Sequence, residues 1–244
     1  MKIVFTPDWF LGTDVLIEVF SFIILSLFFY YSIKAYKLSR NKNSLFLGGA
    51  FLLIALAELA TIFTKLILYY DTSFSQTIGK AIVTYSVVQS VDIFYYVGFF
   101  FHKLLTLVGL YVIYRLPLKR RLSGDIILVL AFLVIAALFS QGFYYLFHVS
   151  ALLLLILIIN NYCGIYKENR SDNTKMLIIS FSMLALSQVL FIISEIGVLY
   201  AAAQVIQLVS YLTLLILIIR IVKHGKKKEP NRHNIGYAWY NTRK

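Results

Sequence analysis

The chain of 244 residues is 60% apolar and only 14% charged, with a mean hydropathy of +0.81 and a formal net charge of +12. Soluble domains carry about 45–50% apolar and about 25% charged residues, so the composition excludes a soluble enzyme and a disordered chain. The single cysteine, Cys163, excludes an intrachain disulfide and a multi-cysteine metal site, and an integral membrane protein remains.

A helix that crosses a bilayer needs about 20 mostly apolar residues. In chain order such runs predict helices over 13–34, 44–70, 88–115, 125–141, 143–166, 175–196 and 199–222. The fourth is the shortest and meets the fifth at Gln141-Gly142, a turn suited only to an antiparallel hairpin. Residues 71–87 are intermediate in character and read as an interfacial helix leading into the third run. The runs are continuous rather than alternating, which disfavours a barrel. Pro7, Pro117 and Pro230 lie outside the runs, so no proline kink is expected, and no GxxxG pair occurs within them. The expected fold is all-α: a polytopic bundle of seven transmembrane helices over residues 1–225, then a basic, aromatic-containing cytoplasmic tail over 226–244.

Orientation follows from charge, because basic residues stay cytoplasmic. Of the 23 basic residues, all but Lys2, Lys65, Lys80 and Lys103 fall in the first, third and fifth connections or in the tail. This places the N-terminus outside and the C-terminus in the cytoplasm of a multi-pass cell-membrane protein. The positive charge thus reads as topology and contact with anionic lipid, not as a nucleic-acid footprint. No basic segment precedes an apolar core and a cleavage site, so the first run reads as a retained span.

Ionisable residues inside a span are expensive and need a partner or a function. With a rise of about 1.5 Å per residue, Glu58 on the second helix and His102 and Lys103 on the third share one level near the midplane. Lys65 lies shallower on the face of Glu58, and Asp92 shallower on the face of Lys103, with Tyr96 between. Two depth-matched pairs are therefore expected: Glu58 with Lys103, and Lys65 with Asp92. Either they lock the two helices together, or they line a hydrated cavity open to the outside. His102 reads as a hydrogen-bonded core histidine. Gln188 on the sixth helix and Gln204, Gln207 and Tyr211 on the seventh add polar groups at similar depth. Asp14 and Glu18 stand at i, i+4 near the outer end of the first helix, and His148 lies on the fifth. The expected ligand pocket comprises Glu58, Lys65, Asp92, Tyr96, His102, Lys103, Gln188, Gln204, Gln207 and Tyr211. In the tail, Lys226, Lys227, Lys228 and Trp239 are expected to contact the bilayer's anionic lipids at the cytoplasmic face, or to dock to a partner.

Several chemistries are excluded. The seventh helix has no intramembrane lysine for a retinal Schiff base, and His102 and His148 are too few for a three-histidine zinc site. Ser150 and His148, two apart on a helix, do not face each other. No catalytic residue, metal or cofactor is expected.

The stretch from Met176 to Gly225, with Ser187-Gln188 in the sixth run and Gln204, Gln207 and Leu208 in the seventh, resembles the last two helices of the seven-helix membrane input domains of prokaryotic sensory proteins. The rest of the chain is similar to them by topology only. In such families a cytoplasmic kinase or cyclase domain follows the last helix. Here only the short tail follows, so the resemblance implies output through a membrane or cytoplasmic protein partner. The preferred reading is a stand-alone, receptor-like sensor that binds a small ligand in an outward-facing polar pocket. The alternatives are a transporter or channel component with a midplane charged site, and a membrane scaffold or assembly subunit.

Overall fold

A computed structural model describes residues 7–74, 83–118, 125–140, 142–194 and 197–227. They form seven α-helices: α1 (Thr13–Ser39), α2 (Lys42–Phe74), α3 (Val83–Arg115), α4 (Asp125–Phe139), α5 (Tyr144–Asn169), α6 (Asp172–Ile192) and α7 (Gly197–Lys227). No strand occurs among the described residues. Six helices, all but α4, are long and apolar enough to cross a membrane. α4 has 15 residues and is about 22 Å long, short of a hydrocarbon core of about 30 Å.

Several of the expected boundaries shift; α1, for one, runs to Ser39 rather than 34. α2 runs on to Phe74 and α3 starts at Val83, so the two long helices absorb most of the segment read as a separate interfacial helix; residues 75–82 lie outside the described residues. No proline or glycine interrupts the chain near 70, and an existing helix propagates at one hydrogen bond per residue. α6 stops at Ile192 rather than 196, and α7 continues to Lys227 rather than ending at 222. The tail from 228 onward, including Lys228 and Trp239, lies outside the described residues, as do the side chains of Lys226 and Lys227.

The helices form a closed ring in the order α1, α2, α3, α5, α6, α7 and back to α1, while α4 packs outside it against α3 and α5. Tight connections join α1 to α2 and α5 to α6. In each, an arginine (Arg40, Arg170) ends the helix in the left-handed region and donates its backbone N–H to the carbonyl of Tyr36 or Tyr166. α2 and α3 are antiparallel: Gly98 abuts Thr64, and Gly109 abuts Ala50 and Ile54. α3 and α5 are parallel, because His102 packs on Phe147 and Asn161 Nδ2 donates to Tyr114 O, so residue numbers rise together along both helices. The segment between them, which contains α4, therefore returns along the bundle axis. The N-terminal ends of α1 and α7 meet where Phe10 packs on Tyr200, with ring centroids 6.4 Å apart. As a result Arg40, Lys42, Arg115, Lys167, Arg170 and Lys223 gather at one end of the bundle, opposite the start of α1.

Side-chain placement is inverted relative to a soluble bundle. On α1, Leu16, Phe20, Ile23, Leu27 and Tyr30 form an exposed stripe, while Asp14, Glu18, Ser21 and Ser32 are buried. A helix apolar all round but facing outward suits lipid rather than water. The basic-end half of the ring holds a conventional core: Leu25, Phe28, Phe51, Ile54, Leu107, Ile113, Leu155, Ile158, Phe181 and Leu214 form one cluster.

Single glycines do the close packing that GxxxG pairs do elsewhere. A Cβ at Gly109 would stand 2.7 Å from Ile54 Cγ1 and 2.9 Å from Ala50 O, whereas one at Gly49 would meet nothing within 4 Å. Gly109→Ala should therefore lower stability in detergent by about 1–3 kcal/mol through overpacking. Gly49→Ala should leave stability unchanged or raise it by up to about 1 kcal/mol through helix propensity. Denaturation of the two variants side by side checks this; equal effects would contradict the α2–α3 packing.

Candidate functional site: a polar cavity within the ring

The ring encloses a cavity of about 120 Å³, and all six of its helices contribute to the wall. A single water needs about 10–15 Å³, so the space holds several waters or a molecule of few heavy atoms. α1 supplies Glu18; α2 Glu58, Thr61 and Lys65; α3 Phe99, His102, Lys103 and Thr106; α5 Tyr144, Phe147 and His148; α6 Gln188; and α7 Tyr200, Gln204, Gln207 and Tyr211.

At its outer edge, near the N-terminal ends of α1 and α7, Lys65 faces two carboxylates. Its Nζ lies 2.7 Å from Asp14 Oδ2 and 2.5 Å from Glu18 Oε1. The two acids stand one helical turn apart on α1, so both reach the same point. Lys65 also donates to Tyr200 OH at 3.4 Å, and Gln204 Nε2 donates to the same oxygen at 3.1 Å. Lys65, Asp14 and Glu18 are all buried, at 2%, 0% and 4% exposure. The expected partner of Lys65 was Asp92. Lys65 is instead engaged by α1, and the side chain of Asp92, carried on α3, lies outside the described residues.

Deeper in the cavity, Glu58 Oε1 accepts from Gln207 Nε2 at 3.0 Å and from Tyr211 OH at 3.5 Å. The expected Glu58–Lys103 ion pair is not formed: Lys103 Nζ donates to the carbonyl of Ser140, at the end of α4, at 2.8 Å. Glu58 and Lys103 lie at similar depth, but Lys103 faces a different direction around α3. His102 takes the position facing α2, where its Nδ1–H donates to Ala57 O at 3.1 Å, and a carbonyl can only accept. The next residue is rotated by about 100°, which turns Lys103 toward α4 and α5. His102 is thus the hydrogen-bonded histidine expected.

Across the cavity, His148 Nδ1 lies 2.8 Å from Gln188 Oε1, and its ring stacks on Phe191. With the amide oxygen facing it, Nδ1 is the protonated nitrogen and Nε2 is left as an acceptor. Two wall oxygens, Glu18 Oε2 and Thr106 Oγ1, are buried without a hydrogen bond. Native proteins rarely leave such atoms unsatisfied, so the wall holds acceptor capacity that its own side chains do not use.

Of the residues expected in the pocket, Glu58, Lys65, His102, Lys103, Gln188, Gln204, Gln207 and Tyr211 line the cavity. Tyr96 does not; it is 46% exposed and off the stripe that faces the ring interior. Glu18, His148, Tyr144 and Tyr200 also line it and were not among the expected set. The i, i+4 acids of α1 were a usable signal, since an acidic pair buried on one helix needs a base at the same depth. Among the described residues, no group of three or more His, Cys, Asp or Glu is arranged to hold a metal. The chain matches no protein-family model, no curated protein and no solved structure.

Because Glu58 and Lys103 bond to different partners and not to each other, their substitutions should not show the coupling of an ion pair. Glu58→Gln and Lys103→Met should show costs in detergent stability that add within about 0.5 kcal/mol in a double-mutant cycle. A coupling of 2 kcal/mol or more would mean that they pair directly.

Proposed function

We propose that this chain is a receptor-like membrane protein that crosses the bilayer seven times, with its N-terminus outside and its C-terminus in the cytoplasm. Its ring cavity takes a small polar ligand from the outer side and the change is passed to a partner protein. The observation that carries this reading is that all six ring helices contribute to one polar cavity, so an occupant touches every element that a signal could move. The orientation is supported by the collection of basic residues at the end of the bundle remote from Lys65, Asp14 and Glu18. The parallel course of α3 and α5 supports a full return through α4 despite its shortness, which lipid accommodates by local thinning. The described helices are continuous, without the midplane breaks on which many transporters rely. α7 extends to Lys227 and so includes Lys226 and Lys227 at its end, which supports contact between Lys226–Lys228, Trp239 and anionic headgroups.

Two measurements test the reading. A reporter joined before Met1 should be external and one joined after Lys244 cytoplasmic; both on one side would overturn seven crossings. In a Cys163→Ser background, Gln207→Cys should react with a small membrane-impermeant thiol reagent added outside, and not with the same reagent added inside. Reaction from the cytoplasmic side alone would overturn an outward-facing site, and equal reaction from both sides would favour a transport pathway.

A further inference from the structure

We propose that the occupant of the cavity is a small zwitterion, a molecule that carries an ammonium and a carboxylate a few bonds apart, held between Glu58 and Lys103. This rests on the reading of the cavity as a ligand site and names the class of ligand.

The two residues are 4% and 8% exposed, both line the cavity, and no ion pair within 4.0 Å joins them. Each is bound by the chain only through neutral groups. Glu58 uses Oε1 toward Gln207 and Tyr211, and its Oε2 takes no hydrogen bond. Lys103 uses one of three N–H donors, toward Ser140 O. A buried charge answered only by neutral dipoles is expensive, and an opposite charge at short range relieves that cost.

Among the described residues, no charged side chain forms an ion pair with either Glu58 or Lys103. Lys65, the other base in the wall, is already engaged by Asp14 and Glu18. An occupant of the cavity can supply the opposite charges: a cation for Glu58 and an anion for Lys103. One molecule that bears both supplies them without changing the net charge of a low-dielectric site. The volume of about 120 Å³ limits it to a few heavy atoms. Phe99 and Phe147 give the same cavity apolar walls that suit a short aliphatic body.

The test uses the full chain in lipid nanodiscs at fixed ionic strength and reads the thermal melting temperature against added probe. The probes are glycine, L-alanine, β-alanine and glycine betaine, with sodium acetate and methylammonium chloride as single-charge controls. At least one zwitterion should raise the melting temperature saturably, and neither control should do so at the same concentration. Glu58→Gln and Lys103→Met should each weaken that binding at least tenfold. Lys103→Arg, which keeps the charge and guards against a fold defect in the methionine variant, should weaken it less, and Leu186→Ala on the lipid-facing side of α6 should leave it unchanged. Binding of acetate or methylammonium as strong as that of the zwitterion would overturn the proposal, as would undiminished binding in both charge-removing variants. Absence of a shift with every zwitterion would overturn it too. If Gln207→Cys is nevertheless labelled from outside, the ligand class alone has failed; if that labelling is also lost, the outward-facing site has failed with it.

Discussion

The ammonium of Lys65, held between the carboxylates of Asp14 and Glu18, is the contact on which the rest of the structure depends. It joins α2 to α1 and, through Tyr200, reaches α7, so it acts at the seam where the first and last helices of the ring close. In lipid the apolar faces of helices gain nothing by leaving their solvent, and association rests on packing and polar contacts. A buried cation with two anions is strong glue there, because opening the seam would leave all three charges in hydrocarbon. The basic-end half of the ring is held differently, by a packed cluster around Phe28, Phe51, Leu107 and Phe181 and by glycines that let α2 approach α1 and α3. The bundle thus has a dry, close-packed half and a polar, hollow half.

That division makes a site feasible. A cavity in the packed half would forfeit contacts from every side chain around it. In the polar half the wall is already committed to directed interactions: His148 with Gln188, Gln207 with Glu58 and Tyr211, His102 with Ala57 O. These fix the side chains from behind and leave Glu58 Oε2 and two donors of Lys103 pointing to no protein partner. Lys103 also links the cavity to the end of α4, the one helix outside the ring.

Much of this was legible in the sequence, and the part that was not has a single cause. Run length and hydropathy located all seven helices, and helical rise placed Glu58, His102 and Lys103 at one depth. Depth depends only on counting along an axis. Azimuth depends on which helix lies on which side, and the ring order is not written in the pattern of any one helix. Lys103 was therefore assigned to α2 when it turns to α4, and Lys65 to α3 when it turns to α1. Tyr96 failed for the same reason. The spans are apolar all round, so no hydrophobic stripe marks the interior face as it would in a soluble bundle; the buried polar residues mark it instead. Read that way, Asp14 and Glu18 on α1 were the strongest unclaimed signal, two acids one turn apart at the depth of Lys65.

The charge arrangement at the ring's seam yields the most direct test. Lys65→Met leaves Asp14 and Glu18 buried without their cation and should lower stability in detergent by about 3–5 kcal/mol. Adding Asp14→Asn and Glu18→Gln to Lys65→Met removes the stranded charges and should recover more than half of that loss, since neutral groups can hydrogen-bond to one another and to Tyr200. Recovery in the triple variant is the result this account predicts. A Lys65→Met variant as stable as the parent, or a triple variant no better than Lys65→Met, would contradict it.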